Sequence, residues 1–368
     1  MKSIGKPGEH QVFSTFFLFW VIIESQIGMG ILQFQRKVVQ VAHHDAWISV
    51  LITGGVIHVV VWFMIRTLAK YESADLYEIH QHALGKWIGN LLSILYMAYL
   101  LLLGTLVLRS YIEVVQTWLF PEIPTWLLSS SVLLLTVYGV LGGIRIIVGV
   151  CILSYLFSIA LLFFLAYNLP YADWRSLSPV MEANFQELII GAKQMAFTVV
   201  GFEIIYFVYP YLKEKKKAGR YTQMGVLYTT LIYCLVLVLS IAFFSEGQIK
   251  KTVWPSLSLF KIVQIPFLER FEYVTVSLWL LVIVPNLLLY LWAATRGMKK
   301  VFHWNQRRSV YLSAALVLAI CLLLKTNLQI KFLGEWAGQL SLYLVFVYPV
   351  ILYFIVLIRT RKQRKEVK

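Results

Sequence analysis

Charge is scarce in this sequence. Asp, Glu, Lys and Arg make up 14% of its 368 residues, against about 25% in a soluble domain. The deficit points to lipid as the solvent for much of the chain and leaves no polar stretch long enough for a soluble domain. Cysteine is nearly absent too: Cys151, Cys234 and Cys321 lie far apart inside apolar runs. That spacing excludes a disulfide framework and a thiolate metal site, and reads as inert core thiols. No phosphate-cradling glycine loop, no metal-ligand spacing and no nucleophile with a positioned base occurs. His43-His44-Asp45 falls in a short loop, where adjacent side chains do not point one way. The expectation is a protein that is not an enzyme and needs no cofactor or metal.

Apolar residues take up that room, 60% of the chain, with a mean hydropathy of +0.74. Runs of about 20 apolar residues, enough to cross a bilayer as a helix, recur along the whole length. The first, from Val12 onward, is longer than the core of a signal peptide and lacks a small-residue cleavage site. It is expected to be a retained helix. The net charge of +15 does not indicate nucleic acid, because no helix carries a Lys/Arg face. The basic residues sit in short blocks between apolar runs, where they set topology.

Ten spans are expected, near 11–33, 46–69, 88–118, 125–142, 145–169, 190–211, 220–244, 272–295, 309–325 and 338–358. They form a single integral membrane domain over 1–368, with repeat one at about 11–169, repeat two at about 190–358 and a basic tail at 359–368. With the N-terminus cytoplasmic, inner segments hold 22 Lys and Arg and outer segments 9. That bias places both termini in the cytoplasm and requires an even number of helices. The polar stretch at 245–271 contains its own apolar turns, Trp254 to Phe260 and Ile265-Pro266-Phe267-Leu268, which suits a segment folded over the outer mouth.

Two spans are interrupted. Span one carries Glu24-Ser25-Gln26-Ile27-Gly28-Met29-Gly30 at mid-membrane depth, and span six carries Thr198-Val199-Val200-Gly201-Phe202-Glu203. Glycine in a helix interior costs ~1 kcal/mol against alanine, and backbone freed there must be satisfied by protein or line a cavity. Matched glycine breaks in two halves of five spans point to a transporter-type site between inverted repeats. The half-helix starting near Gly30 offers free N–H groups and a positive dipole end to a carboxylate. Glu203 is placed to meet an ammonium, so the pair suits an α-amino acid. Close helix packing is the competing explanation for the glycines.

Other polar groups within spans carry functional expectations of graded weight. Glu24 is expected to line the pathway or hold the unwound segment. Arg109 and Glu113, spaced i, i+4, are expected to pair. Lys193 is expected to snorkel, and His58 to be a hydrogen-bonded core histidine. Tyr96 and Tyr99 are candidates to face the cavity.

These residues resemble a known family, the B subunits of GerA-type spore germinant receptors, within the amino acid–polyamine–organocation permease superfamily. The likeness rests on Ile27-Gly28-Met29-Gly30-Ile31-Leu32 with Phe34-Gln35-Arg36, then Asp45-Ala46-Trp47-Ile48-Ser49. It continues through Gly201-Phe202-Glu203-Ile204-Ile205 to Pro210, Trp254-Pro255-Ser256 and Glu269-Arg270-Phe271-Glu272, in order along nearly the whole chain. The resemblance implies an all-α, LeuT-like 5+5 bundle with helices 1 and 6 discontinuous, in the inner membrane of a spore. It implies a small-molecule nutrient such as an amino acid as ligand, and a receptor A subunit and a lipoprotein C subunit as partners. The implied ligand-binding residues are Gly28, Met29, Gly30, Val200, Gly201, Phe202 and Glu203. Pro285 and Asn286 on span eight, with Glu24 and Tyr99, are expected as pathway or support residues. An amino-acid permease using the same site is the alternative function. Sodium-coupled relatives use hydroxyl and carbonyl ligands between spans one and eight, and some proton-coupled ones place a lysine on span five, whereas span five here holds Ser154 and Ser158 but no interior lysine.

Overall fold

A computed structural model describes residues 7–263 and 270–366. Lys2, Lys6, Lys368, the apolar turn Ile265-Pro266-Phe267-Leu268 and Glu269 lie outside the described residues. A lipid-embedded chain must satisfy its backbone internally, and helices do so within one segment. The described residues form no named strand, only one isolated bridge between Phe13 and Leu212.

The described chain crosses ten times. Span one is broken into Leu18–Gln26 and Phe34–Ala42, joined by a 3₁₀ turn at Met29–Leu32. Spans two to five are Ala46–Leu68, Lys86–Trp118, Thr125–Leu141 and Ile144–Phe164. Span six is broken into Phe185–Ala196 and the short turns Phe202–Ile204, Ile205–Val208 and Tyr209–Tyr211. Spans seven to nine are Ala218–Phe243, Phe271–Val301 and Gln306–Leu323. Span ten runs through Asn327–Ser341, a π-helical stretch at Leu342–Val347, and Tyr348–Glu366. Among the described residues, seven helical stretches are long and apolar enough to cross a membrane. Span three, at 33 residues and ~1.5 Å per residue, exceeds a bilayer core of about 30 Å and accommodates by tilting.

Two boundaries differ most from the sequence expectation. Span one does not stop at 33: Gln33 (φ −135°, ψ −5°) resets the chain, and a further nine-residue helix reaches Ala42. The basic pair Arg36-Lys37 looked like an outer loop, yet Arg36 sits on that half-helix and donates to Lys250 O at 2.9 Å. Span ten begins at Asn327 rather than 338, started by a capping box between Thr326 and Gln329. The expected Arg109–Glu113 pair is also replaced. Arg109 Nε donates instead to Leu324 O at 2.9 Å, satisfying a carbonyl at the end of span nine, which a charge-assisted hydrogen bond does well.

Span eight runs through the centre of the bundle, packed along span three and against span five. The segments near Phe13 and Arg359 lie on one face, where Arg359 donates to Ala83 O at 2.8 Å. There, Phe13 N donates to Tyr211 O (3.0 Å) and Lys213 N to Phe13 O (3.1 Å). Arg145 donates to Val12 O and Glu9 O. Lys300 pairs with Asp75 (2.5 Å) and Glu78 (2.7 Å), tying span eight to the short helix Leu76–Leu84. On the opposite face, Pro255–Leu259 folds down on span one, where Ser256 Oγ donates to Ile31 O at 2.7 Å. The expected segment over the mouth is thus present.

Candidate functional site

Unwinding a helix strands the carbonyls before the break and the amides after it. In span one the carbonyls of Glu24, Gln26 and Ile27 are stranded, and each finds a side chain. Asn286 Nδ2 donates to Glu24 O and Ile27 O, both at 2.9 Å. The Tyr233 hydroxyl lies between Gln26 O (2.9 Å) and Thr198 O (3.3 Å), bridging the two breaks from span seven. Gln26 Nε2 donates to Val199 O at 2.9 Å, and its own Oε1 accepts from Thr229 at 2.8 Å. Asn286 follows Pro285, whose ring removes one amide from span eight. Asn286 therefore acts as a clamp on the span-one backbone.

The amides fare differently. Those of Gly28, Met29 and Gly30 have no hydrogen-bond acceptor among the described residues, although Gly28 and Met29 are buried and Gly30 is half-buried. Carbonyls satisfied and amides open is the polarity of an anion seat.

Across the break, Glu203 is fully buried. Its Oε2 accepts from Gly201 N at 2.7 Å, while Oε1 has no well-formed hydrogen bond among the described residues and the Tyr99 phenol stands within reach of the carboxyl group. The phenols of Tyr96, Tyr99 and Tyr290 surround the carboxyl group. Tyr99 bonds Ser341 Oγ at 3.0 Å and Tyr96 reaches Leu344 O at 3.5 Å, inside the π-helical stretch of span ten. Such stretches are rare and recur at functional positions. The ring of Phe202 packs edge-on against Phe346 of the same stretch, 5.6 Å between centroids, and Val200 is buried.

The two glycine motifs touch. Gly201 has φ +123°, and a Cβ there would stand 1.9 Å from Ser25 O. A Cβ on Gly30 would stand 2.8 Å from Thr198 Cγ2 and 3.1 Å from Thr198 O. Close packing, the competing explanation, thus accounts for Gly30 and Gly201 as glycines. It does not account for Gly28, whose φ is −153° and whose Cβ would meet Asn286 at an ordinary 3.5 Å.

Glu24 points away from the breaks, toward span five, where Ser154 and Ser158 donate to its two oxygens, Ser158 at 3.3 Å. His58 bonds Gln223 of span seven, as expected of a core histidine. A cavity of about 30 Å³, room for one water-sized group, opens beside Ile27 and Ile31 toward Ser158, Ile232, Phe260 and Trp279. Gln26, Thr229 and Tyr233 are the site residues that sequence reasoning missed. A Thr and a Tyr one turn apart in an apolar helix are a usable signal, but one shared by many packing positions.

Residues 12–330 match the spore permease family, described as spore germination protein. The chain is 36% identical over 355 residues to spore germination protein GerQB of Bacillus cereus, covering 96% of this chain and 98% of that protein. It is 27% identical over 352 residues to spore germination protein YndE of Bacillus subtilis, covering 94% and 96%. Among solved structures it resembles MhsT in complex with L-phenylalanine, with a TM-score of 0.64 at 11% identity over 95% of this chain and 89% of that one. It also resembles Mhp1, a nucleobase-cation-symport-1 family transporter with bromovinylhydantoin bound, with a TM-score of 0.63 at 13% identity over 94% and 81%. These likenesses show the fold, a LeuT-like 5+5 inverted repeat broken at helices 1 and 6. The chain is an integral membrane protein with a transporter fold and belongs to the spore germination protein family.

Proposed function

We propose that this chain is the nutrient-sensing subunit of a spore germinant receptor, holding an amino acid between the breaks of spans one and six. One observation carries the proposal: three open amides at residues 28–30 lie in a break packed against that of span six, where the carboxyl of Glu203 is fully buried with only Tyr99 near its second oxygen. The amides suit a carboxylate and Glu203 suits an ammonium. Met29, Val200 and Phe202 supply apolar surface for the side chain, which favours alanine, valine or leucine types. The relatives are germination proteins, and MhsT is seen with an amino acid bound, which agrees with this ligand class.

As a receptor subunit the chain acts with an A subunit and a lipoprotein C subunit in the spore inner membrane, its termini in the cytoplasm. Ligand binding biases two arrangements of the bundle, and about 1.4 kcal/mol of differential affinity changes their ratio tenfold. The test is a thermal-stability screen of the purified protein against free amino acids. A ligand at a hundred times its Kd stabilises by about 2.7 kcal/mol. If no amino acid raises the midpoint, the proposal fails. Uptake of the stabilising amino acid into proteoliposomes, lost in Glu203→Gln, would instead identify a working permease. In spores, Glu203→Gln is expected to abolish the nutrient response while the protein still accumulates.

A further inference from the structure

Glu24 is a second buried carboxyl group, and the ligand site does not use it. It lies one turn before the span-one break, is fully buried, and among the described residues its carboxyl group takes hydrogen bonds only from Ser154 and Ser158. These serines stand i, i+4 on span five and so share one face; both are buried. Among the described residues no Lys, Arg or His pairs with Glu24. The titratable groups facing it are Cys151 on span five and Tyr228 on span seven, whose hydroxyl is bonded to that of Tyr155 at 3.2 Å. Span eight presents Asn286, which is neutral and binds the backbone oxygen of Glu24. Every group around the carboxyl is therefore uncharged.

An ionised carboxylate enclosed in this way, with two hydroxyl donors and no countercharge, is the costly state of the group. Two ways exist to neutralise it, a metal cation or a proton. The serine hydroxyls contact the carboxyl oxygens directly as hydrogen-bond partners, an arrangement that a protonated carboxyl group keeps without any further ligand. We propose that Glu24 is a proton-binding site, neutral while span one packs on span five, and that parting of the two helices at this level releases its proton to entering water. The cavity beside the break supplies the route, since Ser158 lines it together with Ile27. Movement of the broken helix is thereby linked to pH through a residue apart from the ligand site.

Infrared difference spectroscopy of the full-length protein in lipid vesicles, in H₂O and D₂O, tests this directly. The spectrum of wild type minus Glu24→Gln is expected to contain the carbonyl stretch of one protonated acid, and that band should persist in Glu203→Gln. Ser154→Ala removes a donor and is expected to raise the band's frequency. This variant also serves if Glu24→Gln fails to accumulate, and an unshifted band would then overturn the proposal. A difference spectrum holding only ionised-carboxylate stretches, or a band that disappears on adding Na⁺ at fixed pH, would overturn it too. As the conformational readout, hydrogen exchange in Leu18–Gln26, corrected for intrinsic rates, is expected to rise with pH in wild type and to stay flat in Glu24→Gln. A pH-dependence unchanged by that substitution would sever Glu24 from the motion.

Discussion

Replacing Gly201 by alanine places a methyl group where none fits. Its φ of +123° is a conformation L residues rarely adopt, and the new Cβ would stand 1.9 Å from Ser25 O, a backbone atom of span one. Strained backbone of this kind costs about 1–3 kcal/mol, and overpacking a close contact costs about 1–3 kcal/mol more. The expected loss is therefore about 2–6 kcal/mol. Gly28→Ala is the control: its φ is −153°, outside the left-handed region, and the Cβ meets Asn286 at an ordinary 3.5 Å. That change is expected to cost far less than Gly201→Ala. Gly30→Ala should fall between them, and Thr198→Ala in the same chain should recover part of its loss by removing Cγ2. The assay is the apparent unfolding midpoint in detergent at one scan rate, since such transitions are kinetic as well as thermodynamic. A Gly201→Ala protein as stable as wild type, or less perturbed than Gly28→Ala, would refute the contact between the breaks.

Asn286→Asp keeps the shape but holds at most one donor, in its protonated form, leaving at least one buried carbonyl unsatisfied. It should destabilise by about 1–3 kcal/mol per stranded group, and a harmless Asp would contradict the clamp. Lys300→Gln should raise hydrogen exchange in Leu76–Leu84 without affecting Glu246–Lys251 at the other face. On that other face, Glu246 gathers His43, His44 and Lys250. Burial opposes its charge, but the hydrogen bonds and charges of Lys250 and His43 outweigh burial and hold the carboxyl below its usual range. A lowered folded pKa adds stability above the unfolded pKa and loses it as pH falls through the folded value. Exchange in Glu246–Lys251, corrected for intrinsic rates, should therefore rise in acid. In Glu246→Gln it should be high already at neutral pH, and an unchanged profile would refute the clamp.

Much of the architecture was legible because lipid imposes a simple rule, apolar runs of spanning length separated by basic blocks. Both breaks were legible as well, since glycines beside Gln26 and Glu203 at mid-span depth contradict a regular helix. What escaped was long-range pairing. Nothing near Asn286 in the chain indicates that it holds Glu24 O and Ile27 O, residues some 260 positions away. Arg109 was matched with Glu113 because only local neighbours are visible along a helix, whereas Leu324 O lies 215 positions on. Span one was cut short because Arg36-Lys37 mimics the end of a span. In fact Arg36 reaches a carbonyl of the covering segment.

The central claim is that a carboxylate and an ammonium on one molecule are read by the residue 28–30 amides and by Glu203. Competition binding decides it, using the stabilising amino acid, its decarboxylated amine, its N-acetyl derivative and Glu203→Gln protein. The account predicts that each analogue binds at least tenfold more weakly, about 1.4 kcal/mol per lost charge contact. It also predicts that in Glu203→Gln the N-acetyl derivative loses its disadvantage. Equal binding of the amine and the parent amino acid by the wild-type protein would contradict it.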